Sequence, residues 1–135
     1  MSRLTQGIYP GALCGIAILI LTSLPGSCFS HSGLGAFPGL DKAIHFVMFT
    51  CFAFLSLWGY RNKMASYDKQ RLTRAALIML TIGIVYGGLT ELIQHFLVEG
   101  RDGNLFDLLA DAIGTVVGTT IYMTYQKKHD KNLAN

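Results

Sequence analysis

Four long stretches of this 135-residue chain carry no Asp, Glu, Lys or Arg: Leu4 to Leu40, Ala43 to Tyr60, Ala75 to Thr90 and Ala112 to Gln126. An α-helix satisfies its own backbone hydrogen bonds, so in lipid a run of about 20 apolar residues reads as one helical crossing. Four such runs predict four crossings. Only 14% of the residues are charged and 51% are hydrophobic, against about 25% charged in a water-soluble domain. A soluble globule is therefore excluded. Four helices leave only short connections, and the expected fold is a single all-α domain over residues 1–135, an integral-membrane four-helix bundle.

The helices are expected at about 8–24, 42–60, 75–97 and 105–125. Pro25-Gly26 ends the first, and Phe29 to Leu40 holds Gly, Ser and Pro at the density of a loop. Asp41 is placed to cap the second helix. Trp58 and Tyr60 fall at its far end, where amphipathic rings favour the membrane interface. A secretory signal cleaved before Cys28 is disfavoured by Pro25, where such a site takes an aliphatic residue, and by an amino-terminal region whose only charge is Arg3.

Basic residues set the orientation. Arg3, Arg61, Lys63, Lys69, Arg71, Arg74, Lys127, Lys128 and Lys131 would share one side of the membrane, leaving Lys42 and Arg101 on the other. The positive-inside rule then places both termini in the cytoplasm. These cations stand at the ends of apolar segments and form no aromatic-studded basic face, which argues against nucleic acid as a partner. The middle basic loop is expected to attract anionic lipid headgroups. Cys14, Cys28 and Cys51 are odd in number and form no CxxC pair, so they read as small apolar fillers.

Six of the eight acids, Asp41, Glu91, Glu99, Asp102, Asp107 and Asp111, fall on or within the outer half. At a rise of 1.5 Å per residue, His45, Glu91, Gln94, Asp107 and Asp111 all lie within roughly 10 Å of the outer interface. Spacings of three and four residues put Asp41 with His45, Glu91 with Gln94, and Asp107 with Asp111 on common helical faces. Intramembrane ionisable groups cost about 2.5–3.5 kcal/mol each on insertion scales, so a cluster of them needs mutual pairing or a wet cavity. Simpler roles exist for some members: Asp107 suits a helix amino terminus, Asp41 a cap, and Lys42 a snorkelling position. Arg101 runs against the topology rule, and its planar fork suits a phosphate. Gly114 and Gly118 with Ala110 form a small-residue ridge that permits close packing.

The strings Asp41-Lys42-Ala43-Ile44-His45-Phe46, Thr90-Glu91-Leu92-Ile93-Gln94, Gly100-Arg101 and Asp107-Leu108-Leu109-Ala110-Asp111, followed by Gly114 and Gly118, resemble the VanZ-like membrane proteins over about residues 15–125. That family is named for a teicoplanin-resistance protein. Two departures stand out: Asp111 occupies a position where the family usually has Asn, and Glu99 one where it often has Pro. The resemblance implies a role in the bacterial cell envelope, in the plasma membrane. It further implies processing of phosphate-linked headgroups of lipids or lipid-linked cell-wall precursors, as a transferase or hydrolase. In that reading His45, Glu91, Asp107 and Asp111 are the catalytic candidates, with His45 as base or transient nucleophile and an acid as proton donor. Asp41, Lys42, Gln94 and Arg101 would bind substrate. A non-catalytic headgroup-binding protein would use the same residues, and a small proton-coupled transporter would use Glu91 but lacks a polar relay in the inner halves of its helices. His45, Glu91, Asp107 and Asp111 could chemically hold a metal, yet no dense ligand motif marks one. Neither the spacing nor the resemblance specifies a cofactor or an oligomeric state.

Overall fold

The computed structural model describes residues 6–25, 39–61, 69–100 and 103–133. Helices α1 (Tyr9–Thr22), α2 (Leu40–Gly59), α3 (Lys69–Leu97) and α4 (Leu105–Leu133) make up the fold, with no strand among the described residues. The last three are long and apolar enough to cross a membrane. The first, at 14 residues, is about 21 Å long, short of the roughly 30 Å hydrocarbon layer. Pro10 stands in its first turn, where a missing N–H leaves no intrahelical acceptor unserved.

Several helix ends differ from those the sequence predicts. The cap of α2 is Gly39, at φ +82°, and Asp41 lies inside the first turn, where its charge favours the helix dipole without capping it. Helix α3 starts six residues before Ala75, because Lys69 to Arg74 are good helix formers and Leu72 is buried. Helix α4 continues past Tyr125 to Leu133, with Gln126 buried on its inner face. At the end of α2, Arg61 Nη1 donates to the Trp58 carbonyl at 2.9 Å while its guanidinium stacks 3.7 Å from the centre of the Trp58 ring.

The surface and interior are inverted relative to a soluble protein. Leu13, Ile16, Leu77, Ile78, Val85, Leu92, Val116 and Ile121 face outward, while His45, Thr90, Glu91, Gln94, Asp107, Asp111 and Thr115 are buried. Below the polar group, Phe49, Phe52 and Tyr86 pack ring against ring, with Ile18, Ala53, Leu57, Met79 and Tyr122 continuing the core. Helix α1 is tied in by the Tyr86 hydroxyl, which donates to the Gly15 carbonyl at 2.6 Å, and by Gly7 N–H to the Gly59 carbonyl at 2.7 Å.

The ridge of α4 decides how close α2 comes. A Cβ at Gly114 would strike the Phe46 carbonyl oxygen, and one at Gly118 that of Thr50. Backbone cannot swing aside as a side chain can. Gly114→Leu and Gly118→Leu are therefore expected to lower the thermal midpoint of the detergent-solubilised protein by at least ~5 °C. Gly88→Ala, where a Cβ meets nothing within 4 Å, is expected to leave it unchanged to within ~2 °C. Melting of both leucine variants at the wild-type temperature would mean that α2 and α4 are not in this contact.

Candidate functional site

His45 lies five residues into α2, Asp111 six residues into α4, and Glu91 six residues before the end of α3. Those offsets put all three about 8–9 Å from the same end of the bundle. The antiparallel order of the helices brings them face to face. His45 Nδ1 is 3.0 Å from Asp111 Oδ1 and 3.8 Å from Glu91 Oε1. His45 is 1% exposed, Asp111 0% and Glu91 8%. An ionised Asp111 only accepts, so in that pair Nδ1 carries the proton and Nε2 is left as the acceptor of a neutral ring. The partner of the imidazole is thus Asp111, on another helix, and not Asp41 one turn away.

Local structure fixes each member. Glu91 Oε2 accepts the backbone N–H of Asn104 at 2.6 Å, so the carboxylate ties α3 to the connection that enters α4. Asn104 caps that helix, its Oδ1 accepting the Phe106 N–H at 3.0 Å. Asp111 fits because α3 presents Gly87 opposite it: a Cβ there would lie 2.9 Å from Asp111 Oδ2. One turn nearer the bundle end, Lys42 Nζ is 3.2 Å from Asp107 Oδ1, with the lysine side chain 40% exposed and the aspartate buried. Asp41 is exposed beside Lys42 in the first turn of α2.

Two binding candidates stand differently. Gln94 is buried and its Nε2 donates to the Thr22 carbonyl at 3.2 Å, closing the carboxyl end of α1. Arg101 lies outside the described residues, as do Cys28 and His31. Sequence reasoning passed over Asn104, although an Asn directly before an apolar run is a helix-start signal. Nothing in the sequence ties Gly87 to Asp111.

Between α3 and α4 a groove of about 540 Å³ opens on the outer face of the bundle. Leu89, Leu92, Leu105 and Leu108 supply apolar walls, and Glu91, His95 and Asn104 are the polar residues that line it. One carboxylate therefore belongs both to the buried cluster and to a groove that faces lipid.

A family model described as VanZ/LLP1 matches residues 16–126, more than four fifths of the chain. The chain belongs to the VanZ/LLP1 family. With three apolar helices of membrane length, it is a VanZ-like membrane protein. The matched span takes in His45, Glu91, Asp107 and Asp111 together with Lys42 and Gln94. No curated protein and no solved structure matches the chain.

The Glu91 bond to Asn104 has a direct consequence in the VanZ-like bundle. A charge-assisted hydrogen bond contributes about 1.5–3 kcal/mol, so Glu91→Leu should speed hydrogen exchange at the Asn104 amide by roughly 10–100-fold. Glu91→Gln keeps an acceptor and should change it far less. Exchange measured by mass spectrometry on peptides spanning 98–108 in nanodiscs checks this; equal protection in the leucine variant would show that Glu91 does not hold the connection.

Proposed function

We propose that this VanZ-like protein sits in the bacterial plasma membrane with both termini in the cytoplasm. There it processes phosphate-linked headgroups of lipids or lipid-linked cell-wall precursors at the outer leaflet, a chemistry through which it would bear on teicoplanin resistance. The observation that carries the reading is the buried contact of His45 with Asp111, beside a Glu91 that also lines a lipid-facing groove. Arg61, Arg71, Arg74, Lys127 and Lys128 stand at the opposite end of the bundle. The positive-inside rule puts that end in the cytoplasm and the cluster outside.

A lipid can present its tail to the groove and its phosphate to the bundle end. Lys42 at the rim, with Arg101 between α3 and α4 in the sequence, supplies positive charge for that phosphate. Asp111 holds the His45 ring, as an acid orients a general base, and His45 takes the proton from an attacking hydroxyl or water. Asp107 steadies Lys42, and Glu91 stands where a proton can be returned to a leaving oxygen. Gln94 orients substrate, and its Nε2 bond to the Thr22 carbonyl seats α1 beside the site. The middle basic loop contributes attraction to anionic headgroups on the inner face.

Turnover by purified protein in vesicles, with labelled polyprenyl-phosphate and phospholipid substrates, is the deciding measurement. Glu91→Gln and His45→Ala are expected to lower kcat by ~10²–10⁴-fold, and Arg101→Ala to raise KM more than it lowers kcat. Saturable binding of the labelled lipid without product would favour a headgroup-binding protein over an enzyme. Reporter fusions at Asn135 and near Ser32 should report cytoplasmic and extracytoplasmic positions respectively. The opposite result would remove the outer-leaflet assignment.

A further inference from the structure

We infer that His45, Glu91 and Asp111 form a binding site for one divalent transition-metal ion that prefers nitrogen and oxygen ligands, of the manganese-to-zinc series. Three helices each bring one donor to a common point, and the three donor atoms lie within 4.8 Å of one another. Ligands about 2.1 Å from a shared ion are roughly 3.0–4.2 Å apart, according to the angle between them. The observed separations of Nδ1 from the two carboxylates, 3.0 Å and 3.8 Å, fall in that range. The two carboxylate donors lie within 4.8 Å of each other, so an ion would draw them together by a small side-chain movement.

A second observation points to the same ligand. Glu91 Oε1 is buried and has no hydrogen-bond partner, although it is aimed at the imidazole. At 3.8 Å it is too far from Nδ1 for a hydrogen bond. A proton shared by His45 and Asp111 satisfies only that pair and leaves this oxygen alone in an apolar bundle. A divalent cation serves both carboxylates at once. Two carboxylates and a neutral imidazole bring a formal charge that a divalent ion cancels, which removes the cost of burying two anions away from water. Asp107 is not needed for this balance, because Lys42 already faces it.

The donor set narrows the ion. One imidazole beside two carboxylates is poorer than the all-oxygen shells that Ca²⁺ and Mg²⁺ favour. No thiolate takes part, which disfavours Cu⁺. The Asn104 N–H on Glu91 Oε2 holds the carboxylate so that its other oxygen faces the imidazole, as outer partners do for metal-bound acids. Three protein ligands leave coordination positions open, and Glu91 connects them to the groove. Metal binding itself stands independently of the headgroup reading. Where both hold, His45 and Glu91 would be ligands in the loaded protein and no longer base and proton donor; the ion would supply the nucleophile as hydroxide from a bound water, whose proton leaves to solvent, and would polarise a phosphate oxygen.

The test uses the full chain in nanodiscs, stripped with chelator and then titrated with ZnCl2 and, separately, MnCl2. Elemental analysis after desalting and calorimetry should give one ion per chain with micromolar or tighter affinity, and Co²⁺ should produce visible absorption from a nitrogen–oxygen site. His45→Gln and Asp111→Asn should each weaken binding by at least about tenfold. His129→Ala, at the far end of α4, should not. Because a cluster variant can misfold, helicity and melting of each are followed in parallel, and the wild-type stoichiometry and Co²⁺ spectrum stand without any variant. Substoichiometric metal in the wild-type protein, or binding that His129→Ala removes and Asp111→Asn leaves intact, would overturn the site. Lipid turnover that survives in metal-free protein would overturn the metal's part in the reaction and keep the headgroup reading. One bound ion without turnover would do the reverse.

Discussion

The contact of His45 with Asp111 joins α2 to α4 at a depth where water cannot compensate a lost partner, and the surrounding backbone is arranged around it. Two helices that present an imidazole and a carboxylate to each other over 3.0 Å must run close for several turns. Gly114 and Gly118, on α4 below Asp111, allow that approach, and Gly87 on α3 leaves space for the acid from the other side. Glu91 then meets the pair from the third helix. Its two oxygens divide the work: Oε2 takes the Asn104 N–H and fixes the α3–α4 connection, and Oε1 faces the ring. Polar geometry and close packing are one constraint here. Side chains larger than hydrogen on the ridge would part the same atoms that the cluster needs together.

The charge pattern made much of this legible in the sequence. Charge-free runs gave α2 and the apolar parts of α3 and α4, because lipid excludes charge and the run length maps onto the rise of a helix. Matching offsets from the helix ends brought His45, Glu91 and Asp111 to one depth before any contact was known, since depth follows from residue number alone. Azimuth does not. Which acid holds His45 depends on how α4 turns against α2, and glycine contacts set that rotation. The imidazole consequently pairs with a residue 66 positions away and not with its neighbour one turn back. Helix ends were harder to read for another reason: Lys69, Gln70, Arg71, Lys127 and Lys128 are polar yet good helix formers, and hydropathy registers where lipid stops, not where the helix does.

Helix α1 shows how a short apolar helix is held in a bundle. It is apolar on all sides, the composition from which a fourth crossing is expected, and its hydrogen-bonded turns end at Thr22, with Ser23 N–H on the Leu19 and Ile20 carbonyls. What holds it is a set of specific bonds: Tyr86 to Gly15, Gly7 to Gly59 and Gln94 to Thr22. Two of these come from α3, the helix that also carries Glu91. Seating α1 and positioning the carboxylate are therefore coupled, and a defect at Gln94 would reach the cluster through α3 without touching it.

The bundle divides along its length into an end packed with aromatic rings and an end that holds the polar cluster. Phe49, Phe52, Tyr86 and Tyr122 fill the first with rings, whose contacts need no exact partner and tolerate small shifts. The second holds four ionisable groups that tolerate very little, because each unpaired charge in hydrocarbon costs several kcal/mol on the order given by insertion scales. Replacing the cluster with leucines would remove that cost and leave a more stable bundle. Stability alone therefore does not account for these residues, and the cost is met by the aromatic end, which keeps α2, α3 and α4 in register. That division also fits the place of the groove: it opens beside Glu91, at the polar end, where Gly88 presents no side chain to fill it.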